Sequence, residues 1–458
     1  MSIIDTNVRP LPGPPRAYAF PAFQSQTLPN GIRVVVAPVR KLPLVTVLAL
    51  IDAGSVSDPV GQEGVAQLTA SLLTEGTGEL TGAALAELVE SMGSTLDAGA
   101  DWDSSVVKLT TLASRLPEAI ALLARVLTEP ALPDDEFQRL RTERLADLLQ
   151  QRSEPRSLAD EAFAQSLYAP GARYAKPDGG TETSVRALTL DQLKSFYADR
   201  YSPRVTTVVL VGDVSIDEGV ALVSRVLGDW TGGVPTASAA PDTTLVIPRG
   251  VRIVRKVDAP QSELRVGHVG PPRLTPDYFP LVLCNAILGG LFSSRLNLNL
   301  REEHAYTYGA HSGVDWRRWA GPFSMDAAVQ SDVSAAAVSE ILKEFERIRV
   351  EPVTESELSL AHSYLDGVFP IRFETTRAIA SALASQAIYG LADDYYDTYR
   401  ANIRAVTADD ILRVAQSHLD PAKLQVVAVG DPEVISGPLE ALGIGAVTVT
   451  EPADALGN

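Results

Sequence analysis

The feature that most constrains this chain is that one stretch of it is written twice. Thr189 to Asp213 reads TLDQLKSFYADRYSPRVTTVVLVGD, and Thr407 to Asp431 reads TADDILRVAQSHLDPAKLQVVAVGD. A constant offset of 218 residues pairs Thr189 with Thr407, Asp191 with Asp409, Pro203 with Pro421, and Gly212-Asp213 with Gly430-Asp431, without a gap. Each copy carries the same local instructions. Threonine at an N-cap accepts from a free N–H of the first turn, and an aspartate there complements the helix dipole. Proline then breaks the chain before a β-branched apolar run, which reads as a strand. A weaker echo lies upstream. LPEAIALLARVLTEPALPDDEF and AAVSEILKEFERIRVEPVTESEL both lead into a long helix, with Glu129-Pro130 matched by Glu351-Pro352. The repeat predicts a duplicated domain, each copy running strand, helix, strands, helix pairs, helix, strand. Mixed elements of this kind place the chain in the α+β class, with helices packed on a sheet in each half.

The segment TGGVPTASAAPD, from Thr231 to Asp242, is small, polar and broken by glycine and proline, as a linker is. It sets the expected division: a first domain over 23–230, a linker over 231–245 and a second domain over 246–458. Pro10, Pro12, Pro14, Pro15 and Pro21 keep residues 1–22 out of a helix and predict an extended arm. The net charge of −18 repels phosphate backbones and argues against nucleic acid as a partner. The single cysteine, Cys284, lies in the apolar stretch LVLCNAILGG. It excludes an intrachain disulfide and cysteine-bound structural zinc, and reads as a buried, inert thiol. No uninterrupted apolar run reaches the roughly 18 residues of a membrane span, so no membrane partner is expected. The N-terminus carries no apolar core of signal-peptide length. The expected compartment is cytoplasmic, or periplasmic if a leader has been removed.

From Leu28 the chain reads LPNGIRVVV, then IDAGSVSDPVGQEGVAQLTASLLTEGTGEL. With Ala53-Gly54-Ser55, Gly61, Gly64, Gly76-Thr77 and FYADRYSPRVTTVVLVGDV in order, these segments resemble the pitrilysin/insulinase family of zinc peptidases, which includes the mitochondrial processing peptidases. The resemblance covers nearly the whole chain beyond residue 22. It implies the family's metallohydrolase fold, with a mainly antiparallel sheet in each half. It also implies a helix bearing H-x-x-E-H between Gly64 and Gly76-Thr77. Two histidines at i and i+4 share a helix face and can grip one zinc ion, while the glutamate deprotonates its bound water. In this chain Gln67 and Ser71 stand at the ligand positions and Ala70 at the base. Asp147, in TERLADLLQ, falls where the third ligand belongs. Gln is a poor zinc ligand, Ser a weak one, and Ala cannot act as a base. GVAQLTASLL then reads as an amphipathic helix packed by Val65, Leu68 and Leu72, and Asp147 as a solvated helix position. No zinc or other cofactor is expected on this chain. His268, His304, His311, His362 and His418 all lie in the second half, and no two form an i, i+4 pair. His304 and His311, in a glutamate-rich stretch, leave a surface metal site conceivable.

Gly289 to Ser312 reads GGLFSSRLNLNLREEHAYTYGAHS. It is similar to the family's segment in which a glycine-rich turn and S-S-R-L precede a helix, L-R-E and a tyrosine. By that similarity Arg301 and Tyr308, seven apart, are the residues that bind the peptide backbone near the scissile bond. A guanidinium and a phenol offer donors to carbonyl oxygens and to charge developing in a transition state. Arg301 can equally be a helix-surface residue paired with Glu302 or Glu303. Arg295 and Tyr306 are alternative assignments, of which Arg295 reads as structural. Ala305 departs from the family, which often has glycine after L-R-E-x-x. The resemblance implies a zinc-lacking subunit of a heterodimeric peptidase. A homologous H-x-x-E-H partner would carry the zinc, and an unfolded, extended peptide would be the substrate. The competing readings are a structural homologue without protease activity and a module that only binds peptide.

Overall fold

The apolar runs that close each repeat become central strands of two six-stranded sheets, in a computed structural model that describes residues 17–241 and 248–455. Most of the proline-rich arm and the end of the linker lie outside the described residues. In the first half the strands are β1 (Gln24–Thr27), β2 (Arg33–Pro38), β3 (Leu44–Ile51), the short pair β4 (Gly76–Thr77) and β5 (Leu80–Thr81), β6 (Thr95–Ala100), β7 (Ser105–Leu112) and β8 (Thr206–Gly212). In the second they are β9 (Gly250–Arg255), β10 (Gln261–Val269), β11 (Ala310–Val314), β12 (Pro322–Gln330), β13 (Gln425–Gly430) and β14 (Ala446–Thr450). The first sheet runs β1-β2-β8-β3-β7-β6, with only β2 and β8 parallel. The second runs β14-β9-β13-β10-β12-β11, with β9 parallel to both β13 and β14. Five strands correspond one for one between the halves; β1 and β14 close the same edge in opposite directions.

The capping chemistry read from the repeat is present in both copies. Thr189 and Gln192 form a reciprocal capping box at the helix Leu190–Arg200, and Thr407 and Asp410 form one at Ala408–His418. Pro203 and Pro421 each open a short 3-10 turn just before β8 and β13.

Consecutive apolar residues in these strands mean that both faces of each sheet are buried. Val34 and Val36 of β2 face the first half's own helices, while Val35 and Ala37 face the opposite way. What covers that second face comes from the other half. The helix Thr376–Tyr389 lays Ile379, Ala380 and Leu383 on Val35, Leu48, Val209 and Val211 of the first sheet. Reciprocally, the helix Pro155–Leu167 lays Leu158, Ala162 and Phe163 on Val254, Val427 and Val429 of the second. Residues 17–22 carry no regular structure, and Phe20 stacks on Tyr396 at 4.6 Å between ring centroids.

The hairpin tips also meet across the halves. Asp103, between β6 and β7, accepts from the backbone N–H of Arg318 (2.9 Å) and from the Tyr389 hydroxyl (3.2 Å). Arg317 lies over the Trp102 ring at 4.1 Å.

One expectation needs amending. Among the described residues one helical stretch, Tyr278–Glu303, is long and apolar enough to cross a membrane, although polar residues interrupt it. Of its most apolar window 61% is buried inside the protein, including Leu283, Leu288 and Leu296, so its length serves the second domain's core. Cys284 lies in the same core, where burial pushes its thiol up to about 12.

Candidate functional site

The helix Val65–Leu72 follows a glycine turn that no other residue type would fill. Gly64 has φ +96°, and a Cβ there would stand 2.7 Å from the Gly179 carbonyl oxygen. Gly180 has φ +80°, and its Cβ would stand 2.1 Å from the Glu63 carbonyl oxygen. The two glycine turns are thus pressed against each other at the start of the helix. Asp58 caps it from outside, accepting from Gly64 N (2.7 Å), Ala66 N (3.0 Å) and Arg173 (2.8 Å). Burial pushes its carboxyl up to about 6 against these three donors, so it is charged at neutral pH.

Val65, Leu68 and Leu72 face the core as the sequence pattern requires. Ala70 is fully buried, and Gln67 and Ser71 are half-buried on the same helix. Asp147 is solvent-exposed on the helix Asp134–Gln151. One turn earlier, on the side facing the site, is Arg144. Its Nε donates to the Gly179 carbonyl oxygen at 3.1 Å. A Cβ on Gly179 would lie 2.4 Å from Gln67 Oε1 and 2.6 Å from Arg144 Nη2, so amide and guanidinium converge on one point. Glu161 of the helix Pro155–Leu167 faces the same arginine. Burial raises its carboxyl to about 7, and its Oε2 has no hydrogen-bond partner.

These residues do not fit a catalytic zinc. At the positions that the resemblance gives to the ligands and the base stand an amide, a hydroxyl and a methyl group, and the Arg144 guanidinium lies beside Gln67. A second positive charge so close opposes a dication through short-range Coulomb repulsion. Among the described residues no group of three His, Cys, Asp or Glu side chains could hold a metal ion, His304 and His311 included. His304 stacks on Tyr306 at 5.0 Å. Arg144 and Glu161 were missed from the sequence. Arg144 had a signal, since it precedes Asp147 by three residues and so lies near its helix face. Glu161 had none, because its role depends on a helix crossing between the halves.

The second segment packs around the edge of the second sheet. A Cβ on Gly289 would stand 2.5 Å from Ser312 N, so the glycine-rich turn lies directly on β11. Asn297 secures it by donating to the Ala310 carbonyl (2.8 Å) and accepting from Ala310 N (3.0 Å). Arg295 is buried and makes a two-pronged bond to Glu357 (2.6 and 3.0 Å), which holds that carboxyl down at about 2. Its role is structural. Arg301 lies in the last turn of the helical stretch, with its guanidinium 4.4 Å from the centre of the Phe292 ring and 3.7 Å from Glu302. Tyr308 is 92% exposed. No hydrogen bond or ring contact joins Arg301 to Tyr308; both project from one stretch beside β11. Ala305, between them, has φ +54°. The glycine-rich turn therefore covers the β11 edge, whereas β6, at the edge of the first sheet and packed beside the helix Val65–Leu72, has no strand on its outer side among the described residues.

Comparison with known proteins agrees with this architecture. Residues 33–174 match the family described as insulinase (peptidase family M16), and residues 187–365 match the peptidase M16 inactive domain. An uncharacterized zinc protease of Mycobacterium leprae is 27% identical over 366 residues, covering 80% of this chain and 82% of its own length. A protein of Helicobacter pylori described as a non-peptidase homolog is 28% identical over 335 residues, 72% of this chain and 75% of its own. The mitochondrial-processing peptidase subunit beta of Saccharomyces cerevisiae is 22% identical over 387 residues, 80% of this chain and 82% of its own. The crystal structure of a peptidase M16 inactive domain from Pseudomonas fluorescens superposes with a TM-score of 0.84 at 27% identity, covering 89% of this chain and 98% of that one.

Proposed function

The chain belongs to the M16 (insulinase) peptidase family as a member without the metal ligands, and from that premise we propose that it is the zinc-lacking subunit of a heterodimeric peptidase. The observation that carries this is an asymmetry between its two sites. Gln67, Ala70 and Ser71, at the positions that the resemblance gives to the ligands and the base, offer neither imidazole nor carboxylate, and Arg144 lies beside Gln67. At Arg301 and Tyr308 a guanidinium and a phenol are present, Arg301 half-buried over the Phe292 ring and Tyr308 almost fully exposed. A chain that had become purely structural would have no need to keep a bare phenol and a guanidinium at that spacing. In this reading a homologous subunit supplies H-x-x-E-H and its zinc. This chain supplies half of the chamber and the donors of Arg301 and Tyr308. The substrate is an unfolded, extended peptide, and the open β6 edge supports its binding as an added strand, which gives affinity with little sequence preference. The beta subunit among the relatives is named as a subunit, and it shares most of its length with this chain.

The experiment is reconstitution. The purified chain should cleave no peptide, and adding an H-x-x-E-H homologue should produce chelator-sensitive cleavage. Arg301→Ala should lower turnover of the pair by roughly 100- to 1,000-fold, the range for losing a transition-state donor, without dissociating it. Chelator-sensitive cleavage by this chain alone would sink the proposal. A non-catalytic role in assembly or peptide binding is favoured instead if Arg301→Ala and Tyr308→Phe change nothing in the reconstituted pair.

A further inference from the structure

We infer that a pocket between the two halves, distinct from both sites above, binds an oxyanion of the phosphate or carboxylate type. The cavity is about 250 Å³, and three arginines line it from three separate segments: Arg33 at the start of β2, Arg204 in the turn before β8, and Arg318 from the hairpin joining β11 to β12. Thr206 and Thr207 line it beside them, and Ala387 and Ile388 of the helix Thr376–Tyr389 form an apolar wall. Three guanidinium groups in one cleft stand out in a chain whose net charge is −18.

The carboxylates nearby do not balance them. Asp52, the only acidic residue among the described residues lining the cavity, is taken by Arg318 through two bonds of 2.7 and 3.0 Å. Arg33 reaches only Asp393, at 3.4 Å and on a side chain 75% exposed, where an ion pair contributes little. Arg204 has no carboxylate partner among the described residues. Its stem is nonetheless held in place. Gly31 has φ +102°, and a Cβ there would press on Arg204 Cγ at 3.1 Å, so the absent side chain lets Arg204 lie close against that turn. Arginines lining a cleft whose one carboxylate is already engaged suit a planar or tetrahedral oxyanion, which takes two N–H groups at once. Because Arg33 and Arg204 belong to the first half and Arg318 to the second, the ligand would bridge the halves.

Calorimetric titration of the full-length chain with sodium phosphate, and separately with sodium acetate, tests this at ionic strength held constant with chloride. Saturable binding of at least one anion is expected, weakened roughly 10- to 100-fold in Arg204→Ala and in Arg33→Ala, as loss of a charged hydrogen bond implies. Arg204→Lys, which keeps the charge and loses the fork, should fall between. Saturation by phosphate alone marks a phosphorylated ligand, and by acetate alone a carboxylate such as a peptide C-terminus. Thermal melts of each variant separate lost binding from lost folding. No saturable heat with either anion, or equal affinity in the folded Arg204→Ala and Arg33→Ala chains, overturns the inference. Neither arginine belongs to the peptide site, so failure here leaves the proposed function standing.

Discussion

Ala305 holds the backbone at φ +54°, a conformation in which a Cβ crowds the neighbouring carbonyl. Glycine would relieve about 1 kcal/mol of that strain, but would add about as much unfolded-chain entropy. Ala305→Gly should therefore leave stability within about 1 kcal/mol, on the stabilising side if strain wins, as a denaturant midpoint will show. Glu161 gives a larger, pH-dependent effect. Its folded carboxyl titrates at about 7, above the ordinary value of 4.5. A raised folded value means that stability is fully present below pH 4.5 and is lost as pH rises through 7. Glu161→Gln removes that loss. It should raise the melting temperature at pH 8, by at most about 3 kcal/mol in stability, and do nearly nothing at pH 4. At this scale the sequence was legible wherever the cause is local. The caps at Thr189 and Thr407, the buried face of the helix Val65–Leu72 and the exposure of Asp147 all follow from neighbours a few residues away. Arg144 and Glu161 meet only because separate helices bring them together; the spacing of Arg144 from Asp147 marks its helix face but not that meeting.

The helices Pro155–Leu167 and Thr376–Tyr389 show the same limit one level up. Each occupies its place in the duplicated order, so its existence could be read from the repeat. Its partner could not, because an apolar stripe specifies that it is buried and not against what. The uninterrupted apolar run Val208–Val211 was the available hint, since a strand with one wet face would alternate. A test follows for the packing of Thr376–Tyr389 on the first sheet. Leu383 is 2% exposed in that interface. Leu383→Ala should cost about 2–4 kcal/mol in chemical denaturation. Leu149→Ala, at a side chain 65% exposed, should stay within about 0.5 kcal/mol. A small loss at Leu383 would mean that the helix does not bear on the sheet as described. The same reasoning explains Tyr278–Glu303, whose apolar length reflects burial in the second domain's core.

Over the whole molecule the two halves are joined by more than the linker. Each sheet is covered by a helix from the other half, and Asp103, Arg317, Arg318 and Tyr389 tie the hairpin tips together. A protease site engineered between residues 231 and 241, where no regular structure is present, should therefore give two fragments that co-elute in native gel filtration. They should also melt in one transition at nearly the temperature of the intact chain. Separation under native conditions would contradict the mutual covering of the sheets. The duplication itself was plain in the sequence, but this interlocking was not, because a tandem repeat is equally compatible with two domains that merely adjoin. The difference bears on how any chamber could admit a chain. Halves that hold each other's cores resist opening against one another. If the chain is paired as proposed, entry for an unfolded polypeptide would come from the swing of one subunit against the other. The rate of admission would then be a property of the contact between the proposed subunits, tuned by concentration, salt and whatever bridges them.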